Sequence, residues 1–159
     1  MGSFNGLLDA KFIPPRNWSL DAPLKFQSET LTSEERELLV ECGIRVTKST
    51  SRITVPKGYI TDLASVPRIC WSFIAPFDVA RAAVVHDIMY EKINGAFKKG
   101  IIETKKEREI YREIADHMFL EGMESAEPPV SKWKIKSAYY AVRMFGRWAI
   151  NSSAPRKGI

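Results

Sequence analysis

The order of patterns along the 159 residues predicts an α+β domain, with a small antiparallel sheet first and three packed helices after it. Short period-two runs fill the first third of the chain, and helical periodicity fills the second half. Prolines mark the join between the two. The predicted layout is a single domain: a β-rich part over 1–55, an aspartate-containing loop over 56–77, a helical part over 78–150 and a polar tail over 151–159. A hydrophobic content of 45% is enough for one buried core without metal or disulfide staples.

Each element has a local reason. Asn17-Trp18-Ser19-Leu20 and Leu24-Lys25-Phe26 read as extended runs of one small sheet, separated by the turn-forming Asp21-Ala22-Pro23. Thr32-Ser33-Glu34-Glu35 has the spacing of a capping box, and Gly43 is placed to stop the short helix that follows, although a strand through 38–40 is an alternative. Ile44-Arg45-Val46-Thr47 and Arg52-Ile53-Thr54-Val55 alternate about a polar turn and predict a hairpin. The loop Thr61-Asp62-Leu63-Ala64-Ser65-Val66-Pro67 follows. A helix capped by Asp78 is expected to run to about Asn94-Gly95, a second to cover about 103–122 and a third about 131–148.

Composition narrows the function classes. The net charge of +5 comes from scattered Lys and Arg, which reads as a solvated surface with a weak bias toward polyanions and predicts no specific nucleic-acid binding. Cys42 and Cys70 stand far apart, without zinc or disulfide spacing, and fit synthesis in a reducing compartment. No basic leader is visible, and no stretch approaches the ~20 apolar residues of a membrane span.

The dipeptide His86-Asp87, inside an otherwise apolar helix, is the feature hardest to explain by packing. Adjacent helical side chains project about 100° apart, so one of the two is expected to point inward, and His86 has the buried position. A buried imidazole needs a partner, and Asp116, flanked by Ala115 and Met118 on the next helix, supplies one. In such a dyad the carboxylate fixes the ring tautomer and His86 acts as general base. Tyr90, one turn on, is placed to hydrogen-bond the same carboxylate, while Asp87, turned away, would bind a hard cation together with Asp62 and loop oxygens. Trp71, Trp133, Tyr139, Tyr140 and Trp148 read most simply as core aromatics, although Trp133, Tyr140 and Trp148 would also form a partner-binding patch on the third helix.

Structural alternatives stand beside each assignment. A lone histidine on a helix face is more often a satisfied core residue than a catalyst, and the nearby aspartates are what raise the catalytic reading of His86; Asp62 reads equally as the cap of its own turn. Arg112, four residues before Asp116, is spaced to neutralise it by a helical ion pair. His117 faces elsewhere and reads as a surface histidine. Ser65 lacks a Gly-x-Ser-x-Gly elbow and is assigned a supporting place near Asp62.

Three motifs in order, residues 55–68, then His86-Asp87-x-x-Tyr90, then Arg112-x-x-Ala115-Asp116-x-x-Phe119, resemble a phage and prophage family catalogued as domain of unknown function 1353. The resemblance runs from about Val55 through Ala141-Val142-Arg143-Met144-Phe145-Gly146. It implies phage origin, synthesis in the bacterial host cytoplasm, incorporation into the virion and other tail or head proteins as partners. The pairing of His86-Asp87-x-x-Tyr90 with Ala115-Asp116-x-x-Phe119 is also similar to the helix pair of phospholipase A2. That similarity implies His86 as base, Asp87 as Ca2+ ligand, Asp116 as dyad carboxylate and membrane lipid as substrate. The chain departs from that enzyme in having neither its glycine-rich calcium loop nor its disulfides.

The expected activity is therefore metal-assisted ester hydrolysis at the cell envelope. A non-enzymatic virion protein with a structural polar network is the second expectation, and a Zn2+ or Mn2+ hydrolase the third.

Overall fold

The computed structural model describes residues 2–63 and 79–152, with side chains described through Gly146. Ser65, Cys70, Trp71 and the expected cap Asp78 lie outside the described residues, as do the side chain of Trp148 and the end of the tail. Among the described residues seven short strands precede three long helices, with one short helix among the strands. The class is α+β, as the order of patterns predicts.

The strands form two antiparallel sheets. β1 (Ser3–Phe4), β4 (Leu24–Gln27), β6 (Arg52–Val55) and β5 (Arg45–Thr47) lie side by side in that order, and β2 (Ala10–Ile13), β3 (Asn17–Leu20) and β7 (Ile60–Thr61) form the second sheet. The β5–β6 hairpin is where its alternation places it, and Ile53 and Val55 point into the core opposite Phe26 and Leu24. β3 and β4 belong to different sheets, contrary to the single small sheet expected of them. Residues 21–23 offer neither glycine nor Asn-Gly for a tight hairpin, so β3 pairs back on β2 and the chain crosses to the other sheet. β2 and β7 fall in stretches that alternation did not mark.

α1 (Ser33–Glu41) has the predicted capping box. Glu35 donates its amide to Thr32 Oγ1 at 3.2 Å, and the Thr32 amide donates to Glu35 Oε2 at 2.9 Å. Gly43, at φ +84°, takes the left-handed conformation that ends the helix, which excludes the strand alternative for 38–40.

α2 (Ala80–Lys98) is the central element. It starts behind Val79, which makes no side-chain cap, and continues through Gly95 past the expected stop. Its sides are buried almost all round because the β4–β6 face, α3 (Lys105–Glu124) and α4 (Lys132–Ser152) all lean on it. Val84, Val85, Ile88 and Met89 join the core shared with Phe26, Ile53 and Leu39, whereas Ala82 and Ala83 meet Phe119, Met123, Ile135, Ala138 and Val142. Gly122 of α3 permits the close approach, since a β-carbon there would stand 2.9 Å from Ala82 Cβ. α3 begins at its Thr104 cap, which accepts from the Glu107 amide. Among the described residues no helix is long and apolar enough to cross a membrane.

Glu121 ties the sheet side to α3. Buried at the helix surface, it accepts from Ser28 Oγ at 2.6 Å, Thr30 Oγ1 at 2.8 Å and the Glu29 amide at 2.8 Å. Removing the carboxylate leaves the buried Ser28 hydroxyl and two partly buried donors without their acceptor. Glu121→Ala is expected to lower stability by about 2–4 kcal/mol, read as a shift of the urea midpoint with unchanged slope. A shift no larger than that of an exposed-site variant such as Glu124→Ala would show that these bonds hold nothing.

Candidate functional site

The site is built where α2, α3 and α4 meet, around one carboxylate. Asp116 projects from the middle of α3 toward α2 and is fully buried. Its Oδ1 accepts from His86 Nε2 at 2.7 Å and from the Tyr90 hydroxyl at 2.5 Å. Its Oδ2 accepts from Arg143 Nη1 at 2.8 Å and lies 3.7 Å from Arg112 Nε. An ionised carboxylate accepts only, which places the ring proton of His86 on Nε2 and makes Nδ1 the basic nitrogen of the neutral imidazole.

The periodicity of α2 explains how His86 and Tyr90 share this oxygen. Four residues apart, they stand one above the other on the face toward α3, with ring centroids 4.0 Å apart, and Phe119 flanks the imidazole at 5.0 Å. Arg112 Nε donates to the Tyr90 hydroxyl at 3.1 Å, its Nη1 holds both oxygens of Glu109 at 2.7 and 2.8 Å, and its Nη2 donates to the Arg143 carbonyl. Arg143 Nη2 returns to Glu109 at 3.2 Å. Two arginines thus balance two carboxylates, and the cluster is neutral without a charge on the imidazole. Both the His–Asp dyad and the competing Arg112–Asp116 ion pair are present at once.

These contacts set the titration of the cluster. Burial alone would raise the Asp116 pKa, but the hydrogen bonds it accepts from His86, Tyr90 and Arg143 hold it below the ordinary aspartate value. Burial, followed by the adjacent Asp116 charge, drives the Tyr90 hydroxyl far above its usual range, so it stays a donor.

Asp87 does point away from His86, yet it too is buried, because α2 has neighbours on all sides. Its Oδ2 accepts from the Thr61 hydroxyl on β7, and Thr61 Oγ1 in turn accepts from the Leu63 amide at 3.0 Å. Leu63 has φ +56°, a left-handed conformation unusual for a branched side chain, and the half-buried Asp62 lies between these two residues. The structure thus brings His86, Tyr90, Arg112 and Asp116 together. It sets Asp87 about 100° round α2 from His86, toward Thr61 on β7, with Asp62 next to Thr61 in the chain. Ser65 lies outside the described residues. Among the described residues no group of three or more His, Cys, Asp or Glu side chains is placed to hold a metal ion. His117 is exposed, as its facing predicts, and stacks on Tyr139 at 6.0 Å.

Sequence reasoning missed Arg143, Glu109, Thr61 and Gly146. Arg143 follows Val142 on the inner side of α4, and an arginine beside the apolar positions 135, 138 and 142 is the signal that was available. Gly146 lets α4 close over the cluster, because a β-carbon there would meet the Tyr90 hydroxyl at 2.7 Å and Arg112 Nε at 3.3 Å.

The family comparison covers this assembly apart from Arg143 and Gly146. The family described as Protein of unknown function (DUF1353) matches residues 37–142. The chain belongs to that family. The match begins inside α1, upstream of the expected start at Val55, and takes in the later part of the charged segment before Gly43. No curated protein and no solved structure matches the chain.

Two variants test the geometry. Gly146→Ala is expected to cost about 1–3 kcal/mol in urea unfolding, since neither the hydroxyl nor the guanidinium can retreat; a neutral result would mean that α4 sits farther out. For Asp116, a folded pKa below the unfolded value gives stability that is complete above the ordinary aspartate value of about 3.9 and is lost as pH falls through the folded pKa. The stability gap between wild type and Asp116→Asn should therefore be full at neutral pH and shrink below about pH 4. A gap that does not change with pH would contradict the pairing.

Proposed function

We propose that the protein is a phage-encoded, virion-associated hydrolase of ester bonds at the cell envelope, with His86 as its general base. One observation carries the reading: His86 Nε2 lies 2.7 Å from Asp116 Oδ1, and Tyr90 shares that oxygen. Phage origin and a place in the tail or head rest on the family, and the lipid ester rests on the similarity of the motif pair to phospholipase A2.

In this reading Nδ1 of His86 takes a proton from a water molecule as the water oxygen bonds to the ester carbonyl carbon. The imidazolium that forms is steadied by Asp116 through Nε2–H. As the tetrahedral adduct collapses, the carbon–oxygen ester bond breaks and the imidazolium returns its proton to the leaving alkoxide. Tyr90 and Arg143 keep Asp116 in place, so that the ring does not turn as charge develops. Asp87 and Asp62, with backbone oxygens, would hold a hard cation such as Ca2+, or alternatively Zn2+ or Mn2+, which would polarise the carbonyl.

A second reading has its own support. Both oxygens of Asp116 are engaged and the side chain of His86 is 3% exposed, as in a polar network that fixes three helices in a virion protein.

Fluorogenic phospholipids and simple esters, offered with and without Ca2+, Mn2+ or Zn2+, separate the two. The hydrolase reading predicts turnover that falls about 10²–10⁴-fold in His86→Ala and Asp116→Asn. No turnover on any substrate, together with a fall of several degrees in the Tm of His86→Ala, would replace it by the network reading.

A further inference from the structure

α4 has two faces with different chemistry. Ile135, Ala138 and Val142 are buried against α2 and α3, and Arg143 reaches inward to Asp116. On the outer side Trp133 is 57% exposed, Tyr140 61% and Met144 70%. At 100° per residue these three positions lie within about 40° of one another, so they form one stripe along the helix. Lys132 and Lys136 are exposed beside it, and Lys134 reaches over the Trp133 ring, 5.8 Å from its centroid. Charge decides what such a face meets. The 21 residues of α4 contain five Lys or Arg and no Asp or Glu, in a chain that carries an overall charge of +5.

We propose that the outer face of α4 binds an anionic phospholipid surface, lying in the plane of the interface. Trp and Tyr favour the boundary between headgroups and acyl chains, where an apolar ring and a polar edge are both satisfied. Met144 adds flexible apolar area. Lysines flanking such a stripe pair with anionic headgroups, each worth about a fivefold gain in partitioning near the surface. No acidic side chain on the helix opposes them. This is the composition of a helix that lies on a membrane, whereas none of the described helices is apolar enough to cross one. The inference deepens the hydrolase reading by giving it a lipid-facing side, and to that extent rests on it; the binding itself is measured without turnover.

The test is cosedimentation of the full chain with vesicles of phosphatidylglycerol or of phosphatidylcholine, at low and high NaCl. Binding to phosphatidylglycerol alone, released by salt and weakened by about a hundredfold or more by Lys132→Glu, Lys134→Glu and Lys136→Glu together, is the expected result. Brominated acyl chains should quench a component of the tryptophan fluorescence that is absent in Trp133→Phe. Lys132, Trp133 and Lys136 are exposed and Lys134 is half-buried, and an unchanged circular-dichroism melt confirms that the variants fold. Absent binding, equal binding to both lipids, or binding that the lysine variants leave intact would overturn the proposal. So would a dimer in solution that Tyr140→Asp and Met144→Asp dissociate, because the face would then belong to a second copy of the chain. His86→Ala is expected to bind vesicles as wild type does. Vesicle binding without turnover therefore removes only the enzymatic reading, and turnover without vesicle binding removes only this one.

Discussion

Burying the Asp116 carboxylate is the constraint on which the helical half of the molecule depends. An ion removed from water costs several kcal/mol even after relaxation, and that cost is offset only if its oxygens are fully engaged. Each helix meets part of the requirement. α2 supplies His86 and Tyr90, α3 supplies Arg112 one turn before Asp116 itself, and α4 supplies Arg143. Because the partners come from three helices, the carboxylate fixes their relative rotation as well as their contact. Gly146 then sets how closely α4 can approach. The same carboxylate dictates the tautomer of His86, so the constraint that organises the packing also prepares the chemistry.

The central position of α2 explains why two ionisable neighbours are both buried. His86 turns toward α3 and Asp87 toward β7, and each finds a hydroxyl or carboxylate partner there. The helix thereby joins the dyad on one face to the Thr61–Leu63 turn on the adjoining face. α4 has the opposite character, with one face in the cluster and the other in solvent. Arg143 and Met144, adjacent in sequence, stand on either side of that division.

Much of this was legible in the sequence where a local rule had no competitor. The capping box at Thr32 and Glu35, the β5–β6 alternation and the i, i+4 relation of His86 to Tyr90 depend on neighbours along the chain, and each appears in the structure. Asp116 as the partner of His86 was readable because an aspartate between apolar residues needs a reason. What escaped depends on the assembly of distant parts. β3 and β4 separate into two sheets because their pairing is chosen by β2, β6 and β7, and strands of two to four residues carry too little pattern to announce this. Arg143 looked like a surface charge because long cationic side chains usually are, and only the cluster on α3 reverses that expectation. Trp133 and Tyr140 read most simply as core aromatics, yet they are exposed, because an aromatic residue on an amphipathic helix does not by itself declare its face.

Asp116 holds His86 through Nε2–H. Long-range proton–nitrogen NMR on ¹⁵N-histidine protein reads the tautomer directly, with His86→Gln assigning its signals apart from those of His117. The expected result is a neutral His86 ring protonated at Nε2, with a far-downfield Nε2 proton that disappears in Asp116→Asn. A ring protonated at Nδ1, or an Nε2 proton signal indifferent to Asp116→Asn, would contradict it.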